Sequence, residues 1–321
     1  MKQEILSKQT GPLLTIWITG GKGFIGRHLA WLVSGEGNQV CGIGHGVWAA
    51  EEAAKWGYAN WCNGEVEAAN LSRLGQISGL PDIVYHLAGG SSVGVSFQDP
   101  RADFCRSVES TSRLLEWLRL NAPDAHTVCA SSAAVYGATS VGPIPEDAGI
   151  APYSPYGAHK AMMESLCRSY GENFGMRLAI VRMFSVYGAG LEKQLVWDLC
   201  SKLAVAGDSR AVLGGTGREL RDWLHVSDAA ALLWLVRGQC DRSSPAINGG
   251  TGIATSIHEV AGLVCDEWGG GAEVEFSGMA RAGDPPFLLA DCARTIQLGF
   301  KPMVMPAEGI REAVSWFKTR K

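Results

Sequence analysis

Charge of one sign never accumulates along this chain of 321 residues. Lysine and arginine number 28 against 32 aspartates and glutamates, a formal net charge of −4, with no long block of either sign. That excludes the wide basic face with which proteins hold nucleic acid or an anionic membrane surface. Long apolar runs are missing as well. The longest, residues 229–236, falls far short of the ~20 residues a membrane-spanning helix needs. Cysteines occur without pairing: Cys41, Cys62, Cys105, Cys129, Cys167, Cys200, Cys240, Cys265 and Cys292 are scattered, and no two stand two to four residues apart. Neither a zinc site nor a redox pair is indicated, and buried free thiols are the expectation. The first residues carry Lys2, Glu4 and Lys8 without the apolar stretch of a secretory signal, so the cytoplasm is the expected compartment.

What is present is core. Hydrophobic residues make up 46% and charged residues 19%, which excludes a disordered chain and suits one large α/β domain or a large domain with a smaller partner. Residues 1–12 read as a loose extension. Leu13-Leu14-Thr15-Ile16-Trp17-Ile18-Thr19 is then an apolar, β-branched run stopped by Gly20-Gly21-Lys22-Gly23, and Phe24, Ile25, Leu29, Leu32 and Val33 follow at helical spacing. Strand, tight turn and helix are expected in that order. The alternation continues, with strands expected over 39–43, 58–62, 82–88, 126–131 and 177–183 and helical spacing between them. Such a rhythm implies an α/β fold with a doubly wound parallel sheet covered on both faces. Beyond residue 185 the rhythm loosens into glycine turns and prolines. The expected division is therefore a larger doubly wound part over 13–184 and a smaller, less regular α/β region over 185–321, parts of which return to the first.

Gly20, Gly23 and Gly26 follow a strand and open a helix. Glycine permits a sharp turn and a close approach of backbone to a pyrophosphate, and the helix N-terminus stabilises its charge. NAD or NADP is the expected cofactor. The acid that normally holds the adenosine ribose at the end of the second strand is missing, because that strand ends Cys41-Gly42-Ile43-Gly44-His45. With Lys22 inside the glycine loop, Arg27 after it and His45 nearby, the reading leans to NADP. Glu65 and Val66 follow the third strand, where adenine would lie. Ala88-Gly89-Gly90 follows the fourth strand and leaves room for backbone against the cofactor.

Tyr156 and Lys160 stand four apart, on one face of a helix start, and Ser132 stands at a strand end. A lysine ammonium near a phenol favours the phenolate, giving a tyrosine able to exchange protons near neutral pH. A serine across the cleft can hydrogen-bond the same substrate oxygen.

With these pieces in place, the sequence resembles the extended short-chain dehydrogenase/reductases, in particular the NAD-dependent, nucleotide-sugar-modifying epimerase/dehydratase family. The matching segments are Thr19-Gly20-Gly21-Lys22-Gly23-Phe24-Ile25-Gly26, His86-Leu87-Ala88, Ser131-Ser132-Ala133-Ala134-Val135-Tyr136-Gly137, Tyr156 with Lys160, residues 182–188, and Arg221-Asp222-Trp223-Leu224-His225-Val226-Ser227-Asp228. The resemblance implies a Rossmann sheet, a homodimer, and a role in carbohydrate biosynthesis. It makes Tyr156 the general acid/base, Lys160 its partner on the nicotinamide ribose, and Ser132 the holder of the sugar oxygen, with Tyr156 and Lys160 both also touching the cofactor. Phe24, Ile25, Leu87, Ala88 and Gly89 would border the cofactor. Ser92, Ser185, Arg221 and Arg281 would meet the nucleotide sugar, the arginines through the diphosphate. The sequence departs from the family where Ser107 and Ser185 replace common asparagines.

Three chemistries share this machinery. A 4,6-dehydratase needs an Asp-Glu pair directly after the catalytic hydroxyl residue, and here those positions are Ala133 and Ala134, which argues against dehydration. An epimerase and an NADPH-dependent nucleotide-4-keto-sugar reductase each need only Ser132, Tyr156 and Lys160. Family frequency places the epimerase ahead and the cofactor loop favours the reductase. A non-catalytic NAD(P)-binding regulator is the third reading.

Overall fold

The computed structural model describes residues 13–138, 142–205, 210–279 and 285–320. The extension expected over 1–12 lies outside the described residues, as does Arg281. The chain begins as its apolar pattern requires: β1 (Thr15–Thr19), α1 (Phe24–Gly35), β2 (Gln39–Gly44), α2 (Ala50–Ala54), β3 (Tyr58–Asn63), α3 (Ala68–Ser78) and β4 (Ile83–His86). It continues through α4 (Val93–Gln98), α5 (Pro100–Phe104), a π turn at Cys105–Glu109, α6 (Ser110–Asn121), β5 (His126–Ser132), α7 (Pro155–Phe174) and β6 (Arg177–Met183). Shorter elements follow: β7 (Ser185–Tyr187), α8 (Gln194–Val205), β8 (Arg210–Leu213), β9 (Leu220–His225), α9 (Val226–Val236) and β10 (Ala246–Gly249). The described chain closes with β11 (Ala254–Ser256), α10 (Ile257–Trp268), β12 (Glu273–Phe276), β13 (Phe287–Leu288), α11 (Ala293–Gln297) and α12 (Pro306–Lys318).

Seven strands form the main sheet in the order β10-β6-β5-β4-β1-β2-β3. Its pairings β1–β2, β2–β3, β1–β4 and β4–β5 are parallel. The order reverses between β1 and β4, which opens a crevice beyond their carboxyl ends, the usual ligand site of a doubly wound sheet. Consecutive residues of the central strands are buried, as in Ile16, Trp17 and Ile18. Helices therefore cover both faces, and the strands read as continuous apolar runs for that reason. Trp17 is the largest of these buried groups. Its Nε1–H donates to Ser78 Oγ at 3.0 Å, and its ring lies 5.3 Å from that of Trp117. A buried indole is tolerated because its one donor is satisfied.

The chain packs as two compact units. Among the described residues, one comprises 13–130, 162–180 and 233–245, and the other falls within 131–161, 181–232 and 246–320. Within the second unit β9 is central, with β11 antiparallel and both β13 and β7 parallel to it, while β8 and β12 pair separately. Leu199 and Leu203 of α8, Val260 and Val264 of α10, and Ile310 and Val314 of α12 share one core. A capping box starts α10: Ser256 Oγ accepts from Glu259 N–H, and the Glu259 carboxylate accepts from Ser256 N–H. Trp223 belongs to the same core, and Trp197 stacks against Trp316 and Phe317 at its margin.

Candidate active site

In the first unit the chain leaves β1 through Gly20 with φ +66°, a conformation open to glycine. A Cβ there would lie 2.7 Å from Ala88 N and 2.8 Å from Leu87 C, so the turn is pressed against the end of β4. A Cβ at Gly23 would meet Gly20 O at 2.9 Å, and one at Gly26 would meet Gly20 O and Gly21 Cα at 2.8 Å. Gly23 then starts α1 with no side-chain cap. The result is a glycine-lined cradle ending on a helix N-terminus, which fits the pyrophosphate of a dinucleotide. Phe24 and Ile25 are half-buried on the first turn of α1.

The carboxyl end of β2 departs from a simple missing acid. Gly44 is buried, and a Cβ on it would stand 3.1 Å from the ring of Trp61; one on Gly42 would stand 2.7 Å from Trp61 and 2.5 Å from Tyr58. Trp48, Tyr58 and Trp61 pack edge to face, with Trp48 and Trp61 centroids 4.7 Å apart. Asn63 Oδ1 ties the group together by accepting from Trp48 N–H at 2.9 Å and Trp61 Nε1–H at 2.8 Å. Lys22 Nζ donates to Val47 O at 2.9 Å, and His45, directly after β2, is exposed. The Arg27 guanidinium lies over Trp56, 5.1 Å from the ring centroid. Glu65 is exposed and Val66 buried after β3. At the end of β4, Leu87, Ala88 and Gly89 are half-buried, and Ser92 starts α4, its Oγ accepting from Val95 N–H at 3.5 Å.

In the second unit β5 ends at Ser132 in extended geometry. Its Oγ accepts from Ala134 N–H at 3.2 Å, capping a single helical turn, Ala133–Val135. Tyr156 and Lys160 lie on the first turns of α7. Lys160 is buried, with its Nζ 5.9 Å from the centroid of the half-buried Tyr156 ring. Ser154 Oγ caps this helix by accepting from Gly157 N–H at 3.1 Å. A Cβ at Gly157 would sit 2.5 Å from Ala134 O and 2.9 Å from Pro152 Cβ. Gly157 is thus what lets the helix carrying Tyr156 rest on the turn that Ser132 caps.

Sequence reasoning missed the group that fixes this turn. Tyr136 O–H donates to Asn248 Oδ1 at 2.6 Å and accepts from Arg182 Nη1 at 3.0 Å. Arg182 also donates to Glu146 O at 2.8 Å, and Asn248 N–H donates to Glu146 Oε1 at 3.0 Å. Asn248 Nδ2 reaches the carbonyls of Ile144 and Asp291, and Arg294 Nε pairs with Glu146 Oε2 at 3.3 Å. A buried network satisfied to this degree specifies one arrangement of the loops it joins. Ser185 stands at the start of β7, opposite Trp223 in register. Arg221 on β9 is buried and donates to Leu220 O at 2.8 Å. Its neighbour Asp222 accepts from Thr251 N–H, Thr251 O–H, Gly252 N–H and Ala290 N–H. Burial pushes that carboxyl above the usual range, and the four hydrogen bonds oppose the shift. Among the described residues no cluster of His, Cys, Asp and Glu could hold a metal ion.

The family model described as the NAD dependent epimerase/dehydratase family matches residues 16–250. The UDP-glucose 4-epimerase of Azospirillum brasilense is 32% identical, over 97% of this chain and 94% of its own. Among solved structures, the UDP-N-acetylglucosamine 4-epimerase of Methanobrevibacter ruminantium M1, in complex with UDP-N-acetylmuramic acid, superposes with a TM-score of 0.84 at 25% identity, covering 96% of this chain and 99% of that one. MoeE5 in complex with UDP-glucuronic acid and NAD gives 0.83 at 28% identity, covering 96% and 100%. With the glycine cradle at the sheet's reversal point and these likenesses along nearly its whole length, the chain belongs to the NAD-dependent epimerase/dehydratase family of extended short-chain dehydrogenase/reductases.

Proposed function

We propose that this protein is a nucleotide-sugar epimerase that oxidises one sugar carbon to a ketone and re-reduces it from the other face. The observation that carries the reading is the set Ser132, Tyr156 and Lys160, held on one capped turn and one helix start, with alanine at 133 and 134. A bound nicotinamide would take hydride from the sugar carbon and return it. The Tyr156 phenolic oxygen takes the hydroxyl proton during oxidation and gives it back on reduction, and the Lys160 ammonium favours the phenolate. Ser132 Oγ accepts from Ala134 N–H, so its own proton is available to bind the same sugar oxygen. Ala133 and Ala134 offer no carboxyl to expel a hydroxyl, which opposes 4,6-dehydration.

The dinucleotide would lie on Gly20, Gly23, Phe24, Ile25 and Gly26, with adenine near Glu65 and Val66 and the nicotinamide end near Leu87, Ala88 and Gly89. We assign residues 13–184 mainly to the cofactor and 185–321 mainly to the sugar nucleotide. Relatives named as UDP-glucose 4-epimerases support a UDP-hexose reacting at carbon 4. Arg221 and Arg281 are assigned to the diphosphate, Ser92 and Ser185 to polar contacts with the sugar nucleotide. We further propose a cytoplasmic homodimer acting in carbohydrate biosynthesis; no described helix is long and apolar enough to cross a membrane. The second reading, an NADPH-dependent keto-sugar reductase, is favoured by one observation: Gly44 under Trp61 leaves no carboxylate to repel a 2′-phosphate, and Lys22 and His45 stand at the same strand end.

Purification without added cofactor, denaturation and mass spectrometry of any released dinucleotide separates the two. Stoichiometric NAD+ is expected of an epimerase that retains its cofactor. Empty protein that prefers NADPH over NADH would instead support the reductase.

A further inference from the structure

The end of β4 carries a buried polar chain whose direction can be read from one end. Thr111 Oγ1 donates to Ser107 O at 2.6 Å, one turn earlier on the same helical segment. Its only proton is thereby used. At 2.9 Å from His86 Nε2 it must accept, so Nε2 carries the hydrogen. On the other side Thr19 Oγ1 accepts from Ala88 N–H at 3.3 Å and lies 2.7 Å from His86 Nδ1. A neutral imidazole protonated at Nε2 presents a lone pair at Nδ1, and the Thr19 hydroxyl donates into it. The reverse tautomer would leave the Nε2 lone pair facing a hydroxyl whose proton is committed elsewhere. Thr19, His86, Ser107 and Thr111 are all fully buried, where such mismatches are not relieved by water.

The chain ends on the loop that leaves β4. Ala88 N–H enters it through Thr19. Gly90 N–H donates to Ser107 Oγ at 2.9 Å, while Ser107 O receives the opposite end. The π turn Cys105–Glu109 sets Ser107 at this position, in keeping with the frequency of π turns at functional sites. The loop at 88–90 also backs the glycine cradle, since a Cβ on Gly20 would collide with Ala88 N. We propose that His86 is a positioning residue, held as the neutral Nε2–H tautomer, and that this relay fixes the loop at 88–90 where the dinucleotide must pass. The effect on cofactor rests on the cofactor placement given above, whereas the tautomer does not.

The test uses the intact protein labelled with 15N-histidine, stripped of any bound dinucleotide. A two-bond 1H–15N correlation spectrum, with His86 signals assigned by their loss in His86→Gln, is expected to show a proton on Nε2 and none on Nδ1. A proton on Nδ1, or on both nitrogens at neutral pH, would overturn the proposal. NAD+ and NADP+ titrations of Thr111→Val and Thr111→Ser then read the loop. Valine removes the acceptor for His86 at nearly constant shape, and the dissociation constant should rise about tenfold, the equivalent of ~1.4 kcal/mol. Serine restores the hydroxyl and should return binding to within about twofold of wild type, a rescue that packing alone would not produce. Equal affinity in wild type and Thr111→Val would refute the positioning role. Wild-type protein that binds neither dinucleotide would refute the cofactor placement, and the spectrum would still decide the tautomer. Neither readout involves the sugar, so failure of the epimerase reading would leave both unchanged.

Discussion

Replacing Gly157 with alanine should damage turnover far more than folding. The added Cβ would stand 2.5 Å from Ala134 O and 2.9 Å from Pro152 Cβ, whereas an unstrained contact needs ~3.5 Å. The start of α7 and the turn Ala133–Val135 must therefore separate by about 1 Å. Overpacking of this kind costs ~1–3 kcal/mol, and the better helix propensity of alanine offsets up to about 1 kcal/mol of that. The melting temperature should fall by only a few degrees. Tyr156 is the residue before Gly157 and Ser132 caps the turn on which it rests, so the same displacement opens the distance between the proposed proton carrier, Tyr156, and the proposed sugar-holding hydroxyl of Ser132. A misplacement of ~1 Å in a reacting geometry costs on the order of 100-fold in rate. Interconversion of UDP-glucose and UDP-galactose, followed by anion-exchange chromatography with thermal unfolding in parallel, checks both parts. Wild-type turnover in Gly157→Ala would refute the claim that this close approach sets the site.

Two further outcomes follow from other parts of the molecule. Gly44→Asp places a carboxylate beside the Trp61 ring at the end of β2; its repulsion of a 2′-phosphate, ~1–4 kcal/mol at close range, should shift the ratio of NADPH to NADH affinity at least tenfold toward NADH. An unchanged ratio would remove the 2′-phosphate from that strand end. The second concerns His225, which is 3% exposed, with Nδ1 2.8 Å from Ser227 Oγ and Nε2 3.8 Å from Glu312 Oε2. Burial pushes its pKa down to about 4, and the charge of nearby Glu308 opposes the shift only in part. The unfolded chain binds a proton near pH 6.5 that the folded chain refuses. The contribution of His225 is therefore complete above that pH and is lost as pH falls toward 4, at up to ~1.4 kcal/mol per pH unit. Urea unfolding of His225→Gln should show a flatter pH dependence over that interval, and an unaltered slope would contradict the assignment.

The first half of the fold was legible because parallel strands covered on both faces leave continuous apolar runs, as in Ile16-Trp17-Ile18, and because Gly20, Gly23 and Gly26 punctuate a strand-to-helix turn. Tyr156 and Lys160 were legible because a helix repeats their spacing. The short strands of the second unit were not, since β7, β11 and β13 are two or three residues long and too short to show a period. The support of the site was hidden for a different reason. Tyr136 meets Asn248 across 112 positions, and Asn248 meets Glu146 across 102; neither pair leaves a local signal. Gly44 read as a missing acid, and only the register pairing Gly42 with Trp61 and Gly44 with Asn63 reveals that an aromatic ring fills its place. A glycine alternating along β2 opposite a tryptophan on β3 was the one available hint.

The central claim is that Tyr156 moves the proton while hydride leaves and returns to one sugar carbon. The most direct measurement is turnover of UDP-glucose by Tyr156→Phe beside its affinity for NAD+. The account predicts that loss of the phenolic hydroxyl abolishes interconversion, a decrease on the order of 100-fold or more, while the dissociation constant for NAD+ stays within about twofold of wild type, because no cofactor-binding hydrogen bond of the cradle is touched. Turnover undiminished in Tyr156→Phe would contradict the account at its centre.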